Sequence, residues 1–495
     1  MLVSITPEIA IEEVPIYAGG LGVLEGDKFI EASKLNKPYL VLTLFYPKGY
    51  ANYALENGII ELNQDYSEYE KNLNDEGDFE IKTNLGYVKL KTLSLSKESS
   101  KVVFFKAVYP DWAVKATSKL YIEESKFDYE YKYVILAKAS VEYINRLEDV
   151  NDVYAQESLA GLALIPLHKR FRAHLVIHTP GPWGHPVFSS KTLEDEFGIL
   201  LDEKEVVLTK LLIKYADYVH TVSLKHNELT KKMFPRSDFT SITNGVSFTR
   251  WMHDEIKKVY FGGNLENLTK ARKIIKEEFL KFLKNYKEEI NKDAFIVVWA
   301  RRMTKYKRPY LISRIIRDIG NKLDNVMFVI AGKAHPKDYE GINYMNEFAF
   351  LSRENKNVIY IHDYTIKNAK IILSGGDLLL FTPFSGWEAC GTSYMKAGIN
   401  GVPTLSSKDG GALEVIVDGY NGWFFGEDIR DFIDIFHSSI KDIDEKDYSE
   451  LVSKFLYIVE RAGKDPEWYN QITKNTFISF VKFSSITKIF NSYFL

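Results

Sequence analysis

The sequence predicts an α/β protein built from two large, doubly wound, Rossmann-like domains. Three observations carry that prediction. Apolar runs rich in β-branched residues alternate with amphipathic stretches, the pattern of buried parallel strands joined by crossover helices. The chain has 495 residues, beyond the size at which one hydrophobic core keeps growing. Glycine-rich, cationic and hydroxyl-rich strings follow the apolar runs, and ligands in open α/β sheets bind beyond the carboxyl ends of the strands.

The first half reads as strands at 39–45, 175–178 and 218–222. An alternating region at about 79–108 lies between them, as in Val88-Lys89-Leu90-Lys91-Thr92-Leu93, and is taken as antiparallel strands added to the sheet. Residues 129–147 have helical periodicity, and a helix is expected over 26–35. The second half gives strands at 295–300, 326–331, 358–361, 378–381 and 402–405 with helix-length segments between them, one doubly wound unit. A charged segment at 257–278 is expected to hold the linker. The expected domains are 1–255 and 256–475, followed by an aromatic helical tail, 476–495, that crosses back to the first domain.

Composition narrows the function classes. A hydrophobic fraction of 45% with 26% charged residues suits a globular protein. Net charge is −3, which gives no reason to expect nucleic acid or an anionic membrane as partner. The one cysteine, Cys390, excludes an intrachain disulfide, and the start Met1-Leu2-Val3-Ser4 lacks a signal-peptide pattern. The cytoplasm is therefore the expected compartment. No metal site is expected, and a homo-oligomer is left open. Few glutamines beside many Lys and Glu residues suggest a thermophilic source.

Several strings carry chemistry. Gly19-Gly20-Leu21-Gly22 precedes a helix, where a glycine loop lets backbone N–H groups approach an anion; alone it reads as a tight turn. His178 closes a strand run and can meet a sugar hydroxyl or a developing charge, with His185 as a second candidate. Ile242-Thr243-Asn244-Gly245 reads first as a turn. Arg301-Arg302-Met303-Thr304-Lys305-Tyr306-Lys307-Arg308 puts five cations in eight residues at a strand end, suited to a multiply charged anion. His362-Asp363-Tyr364 follows another strand. In Glu388-Ala389-Cys390-Gly391-Thr392-Ser393-Tyr394-Met395-Lys396, a Gly/Thr/Ser turn presents N–H and hydroxyl groups to an anion. A lysine one turn further in can bond a carbonyl cofactor.

In order and separation these strings resemble the α-glucan (glycogen, starch, maltodextrin) phosphorylases, in a short archaeal-like or bacterial-like form. The matches run from Tyr17 to about Gly426. The resemblance implies two Rossmann-like domains facing a central cleft, the glycosyltransferase B type. It implies pyridoxal 5′-phosphate on Lys396, with Gly391, Thr392, Arg301, Trp251 and Tyr364 around the cofactor. By the same resemblance Gly20 and Leu21 touch phosphate and the glucosyl unit, and Asn244 and Cys390 lie at the substrate. His178 faces the sugar, Glu388 accepts from its hydroxyls, and Arg302 and Lys307 hold orthophosphate. The implied reaction is retaining phosphorolysis of an α-1,4-glucan or maltodextrin by orthophosphate. It gives glucose 1-phosphate and a shortened glucan, with the cofactor phosphate as proton relay.

The sequence also departs from that family. Ala155-Gln156-Glu157-Ser158-Leu159 has Leu159 where relatives carry histidine, and Thr365 stands where they supply a further polar or basic contact. The chain starts close to the glycine loop, which leads to an expectation of simple regulation. One alternative is a nucleotide-sugar glucosyltransferase of the glycogen-synthase type without pyridoxal phosphate, which Asp409-Gly410-Gly411-Ala412-Leu413-Glu414 also resembles. A second is a glucan-binding module that has lost catalysis.

Overall fold

The computed structural model describes residues 1–493 apart from 57, 182–183, 237 and 439. The chain forms two compact α/β units. The first comprises Met1–Tyr50, Asn63–Thr243 and the residues from Phe490 on; the second comprises Ala51–Leu62 and Asn244–Ile489.

The first unit is built on nine strands: β1 (Leu2–Ile5), β2 (Tyr39–Leu44), β3 (Asn74–Thr83), β4 (Gly86–Lys97), β5 (Ser100–Tyr109), β6 (Asp152–Gln156), β7 (Arg172–Val176), β8 (Tyr218–Thr221) and β9 (Thr240–Ser241). Their order is β9-β8-β7-β6-β1-β2-β5-β4-β3. Pairing is parallel from β9 to β5 and antiparallel through β4 and β3. The alternating region is thus the outer edge of the sheet. Glu80, Lys82 and Lys89 face water, and Phe79, Ile81, Val88 and Leu90 are buried. The helix Gly20–Lys34 begins at the glycine loop, earlier than expected. It buries an ion pair, Lys28 to Glu25 at 2.6 Å, and Glu25 also accepts from the Tyr39 hydroxyl. Two unexpected strands, β1 and β6, sit at the centre of the sheet.

The second unit holds a six-stranded, all-parallel sheet: β10 (Phe295–Ala300), β11 (Val326–Ala331), β12 (Val358–Ile361), β13 (Leu378–Phe381), β14 (Thr404–Ser407) and β15 (Trp423–Phe425). The order β12-β11-β10-β13-β14-β15 is the doubly wound order, and it reverses direction at β10, where such sheets bind ligands. Four strands match the expected ranges. β14 begins two residues later than expected, because Pro403 has no N–H to give a ladder; its carbonyl instead accepts from Leu379 N at 3.0 Å. The segment expected to contain the linker folds into the helices Asp254–Gly262 and Leu268–Leu283. The second buries Leu268, Ala271, Ile275, Phe279 and Leu283 at helical spacing. The tail forms the helices Pro466–Phe483 and Thr487–Tyr493, the first started by Asp465, whose side chain accepts from Trp468 N. Residues 494–495 of the expected tail lie outside the described residues. Among the described residues no helix is long and apolar enough to cross a membrane, and no cluster of metal-ligating side chains is present.

Candidate active site

In the second unit the chemistry gathers at the carboxyl ends of β10 and β13. Leaving β10, the chain runs through Arg301 and Arg302 into the short turn Lys305–Lys307. That turn is pinned to the end of β13. Thr382 Oγ1 donates to Lys307 O (2.8 Å), Phe384 N donates to Tyr306 O (2.7 Å), and Trp299 Nε1 donates to Thr382 Oγ1 (3.0 Å). Arg308, in the left-handed region (φ 53°) and fully buried, caps the helix Pro309–Ile319. It bonds Asp447, Thr382 O and Pro383 O.

The cations converge on one carboxylate. Arg301 Nη2 lies 2.6 Å and Lys307 Nζ 2.8 Å from Glu388 Oε2. Burial opposes ionisation of Glu388, but the Arg301 and Lys307 charges and hydrogen bonds outweigh it and hold the carboxyl at about 2. The Arg301 guanidinium also stacks on the Phe381 ring at 3.8 Å. Arg301 rather than Arg302 shares Glu388 with Lys307. Arg302 is half-buried one position along.

Beside this group, Gly391 and Thr392 lead into the helix Ser393–Gly398, which carries Lys396. A Cβ at Gly391 would lie 2.5 Å from the Phe381 ring and 3.2 Å from Arg301 Nη2, so only glycine fits. Lys396 is buried, its Nζ 4.1 Å from the Trp251 ring centroid. Asn400 fixes that pair: its Nδ2 donates to Trp251 O (2.9 Å) and Lys396 O (2.8 Å), and its Oδ1 accepts from His253 N (2.7 Å). Asn244 Nδ2 donates to Cys390 O at 3.1 Å. The Cys390 thiol, 3.6 Å from the Tyr394 hydroxyl, is pushed by burial up to about 12 and is inert. Tyr364 follows β12, and Thr365 next to it serves the backbone. It caps the helix Ile366–Gly375 in a reciprocal box with Asn368, a structural reason for its departure from the family pattern.

Two buried polar atoms here, Arg301 Nη1 and Ser393 Oγ, have no hydrogen-bond partner among the described residues. An unsatisfied cation at the strand end, and an unsatisfied hydroxyl on the helix that carries the buried Lys396, are donors suited to an anionic group carrying a carbonyl. The residues present therefore fit pyridoxal phosphate.

In the first unit, His178 lies two residues beyond β7. Its Nε2 is 2.8 Å from Gln156 Oε1, and its N–H donates to Glu157 Oε1 at 3.1 Å. Burial keeps the imidazole neutral, with the Lys28 and His226 charges adding to the effect. Glu157 has φ 70° and accepts also from Thr179 Oγ1 (2.7 Å), while its Oε2 is buried without a partner among the described residues. Burial pushes this carboxyl up to about 8, against the bonds from Thr179, His178 and Ser158. His185, the second histidine candidate, contacts Thr209 Oγ1 at 2.9 Å. Gly20 and Leu21 open the helix Gly20–Lys34, so their N–H groups lie in the turn that has no intrahelical acceptor. Upstream, Glu8 Oε2 accepts from Ala18 N (2.6 Å) and Gly19 N (3.2 Å) and shapes that entry.

Sequence reasoning missed Asn400 and Asp409. Asn400 lies four residues beyond the quoted string that ends at Lys396, and Asp409 opens the Asp409–Glu414 string with no role of its own stated.

A doubly wound sheet carries cations, a shared carboxylate and an indole-packed lysine at the carboxyl ends of its strands, where open α/β sheets bind their ligands. Residues 262–493 match the family described as Phosphorylase: Carbohydrate phosphorylase. The maltodextrin phosphorylase of Thermococcus litoralis is 29% identical over 84% of this chain and 61% of its own length. The glycogen phosphorylase of Aquifex aeolicus is 25% identical over 86% of this chain and 76% of its own. An uncharacterized protein of Methanocaldococcus jannaschii is 26% identical over 82% of this chain and 84% of its own. The matched segment and these relatives make the chain similar to the carbohydrate phosphorylases. It spans 61% of the length of the maltodextrin phosphorylase it matches.

Proposed function

We propose that the protein is a retaining α-1,4-glucan phosphorylase, a hexosyltransferase that converts glucan and orthophosphate to glucose 1-phosphate and a shortened glucan. The observation that carries this reading is the convergence of Arg301 and Lys307 on Glu388, in the same unit as the buried Lys396 on Trp251. Two cations on a single carboxylate leave guanidinium and ammonium donors for a dianion, and burial strengthens each contact. Arg302, one position from Arg301 at the same strand end, is assigned with Lys307 to orthophosphate.

Pyridoxal phosphate would be held by Lys396, Trp251, Gly391, Thr392, Tyr364 and Arg301. When bound it would supply, through its 5′-phosphate, a proton relay to orthophosphate. The remaining work falls to the chain's own residues. Glu388, ionised throughout the neutral range, accepts from sugar hydroxyls, and Asn244 bonds the sugar. In the first unit, neutral His178 offers a hydrogen bond without adding charge, and Gly20 and Leu21 offer backbone N–H groups. Cleavage breaks the bond between the anomeric carbon and the glycosidic oxygen. Orthophosphate oxygen bonds the same face of that carbon, and the proton goes to the departing oxygen.

The test is glucose 1-phosphate release from maltodextrin by purified protein supplied with pyridoxal phosphate. Release should require orthophosphate and should be abolished in Arg302→Glu. Glucose transfer from a nucleotide sugar by cofactor-free protein would overturn the reading, and near-wild-type turnover in Arg302→Glu would remove Arg302 from the phosphate site.

A further inference from the structure

The turn that begins with Asp409 follows β14 and lies outside every role assigned above. Its carboxylate is buried and accepts four backbone N–H bonds. Oδ1 takes Gly386 N (2.9 Å) and Gly410 N (2.9 Å); Oδ2 takes Trp387 N (3.2 Å) and Glu388 N (2.7 Å). Three of these donors are consecutive residues of the loop that ends in Glu388. A carboxylate accepting several backbone N–H groups is a strong, directional anchor, since each bond is charge-assisted.

The surroundings fit that use. Gly410 has φ 52°, and a Cβ there would lie 2.6 Å from Glu388 O and 2.8 Å from Ala389 O, so the glycine lets the two loops touch. Gly386, with φ 94°, makes the bend that turns three successive N–H groups toward one side chain. Ser385 Oγ donates to Lys408 O at 2.8 Å, a further tie between the loops. From the other side, the Trp387 ring stacks on Phe432 at 4.6 Å, and its Nε1 donates to Ile433 O at 2.8 Å. Backbone and side chain of residue 387 are therefore both fixed. The next residue, Glu388, is left to turn toward Arg301 and Lys307.

We propose that Asp409 is a positioning residue of the reaction centre: through the N–H groups of Gly386, Trp387 and Glu388 it sets where the Glu388 carboxylate stands between Arg301 and Lys307. It touches no reacting group itself. This inference rests on the phosphorylase reading for its kinetic consequence and on geometry alone for its structural one. In Asp409→Asn one oxygen becomes an amide that offers its own hydrogens to backbone N–H groups, so the loop loses about half its anchor while volume is conserved.

The experiment pairs a double-mutant cycle with amide hydrogen exchange on the full chain. Asp409→Asn should lower kcat about 100-fold, the scale expected when a reacting constellation shifts by about 1 Å, with KM for orthophosphate nearly unchanged. In a Glu388→Gln background the same substitution should cost nothing further, because its effect runs through Glu388. Equal losses in both backgrounds would overturn the positioning role and leave Asp409 a merely structural residue. Hydrogen exchange at Gly386 and Glu388 should accelerate in Asp409→Asn whether or not the protein turns over glucan, while the Trp387 N–H keeps its second acceptor, Phe384 O at 3.1 Å. Unchanged exchange there would overturn the inference by itself. Wild-type protein without phosphorolysis would instead sink the functional reading, with the exchange measurement still deciding whether Asp409 holds the loop.

Discussion

Glu388→Gln is the substitution whose cost follows most directly from the geometry. The carboxylate is buried, as is Arg301, and Lys307 is nearly so. Its fall from an ordinary 4.5 to about 2 corresponds to roughly 3 kcal/mol of preference for the ionised form in the folded protein. Because the folded value lies below the ordinary one, this stabilisation is present above about pH 4.5 and is lost as pH falls toward 2. At pH 7 the neutral amide forfeits it and leaves two buried cations facing one dipole, so a loss of about 3 kcal/mol is expected. For a unit of this size that is a fall of roughly 6 °C in the melting temperature. The assay is differential scanning calorimetry of both proteins at pH 7, with and without orthophosphate. Added phosphate should restore the variant more than it stabilises the wild type, since the anion replaces the missing charge. A variant that melts with the wild type would refute the claim that Arg301 and Lys307 depend on Glu388.

Glu157 titrates in the opposite sense. Its folded value, about 8, lies above the ordinary 4.5, so its contribution is fully present below 4.5 and is lost as pH rises toward 8. Melting temperature should fall over that window in the wild type and should fall less in Glu157→Gln, as calorimetry across pH 5 to 8 would show. Gly391→Ala pushes a methyl group into Phe381 and Arg301, which should cost about 1–3 kcal/mol and sharply weaken pyridoxal phosphate retention, read by cofactor absorbance after gel filtration. Thr365→Ala removes the cap of the helix Ile366–Gly375 and should cost about 1 kcal/mol in thermal unfolding, with cofactor retention unchanged.

The second unit was the more legible from sequence, for a physical reason. Strands such as Phe295–Ala300 and Val326–Ala331 are covered on both faces, so they read as unbroken apolar runs. β1 and β6 are equally buried, but β1 has only four residues, and β6 begins with Asp152 and ends with Gln156; neither stands out from loop. The helix after the glycine loop starts six residues before the expected 26–35; its first turn is rich in glycine, and burial overrides that low propensity. The residue types of the site were visible as strings, and their roles came from resemblance. What the strings could not show is tertiary. Arg301 rather than its neighbour reaches Glu388, Asn400 ties Trp251 to Lys396, and Asp409 gathers N–H groups from 21 to 23 positions away. The oxygen of Glu157 and the nitrogen of Arg301 that lack a partner among the described residues likewise emerge only once the surrounding chain is packed.

The central claim, that Lys396 is the cofactor lysine of a glucan phosphorylase, is tested most directly by borohydride reduction. The protein is reconstituted with pyridoxal phosphate, reduced and mapped by peptide mass. The account predicts one pyridoxyl-phosphate adduct, on the peptide carrying Lys396, lost in Lys396→Ala. No adduct, or an adduct confined to other lysines, would contradict it.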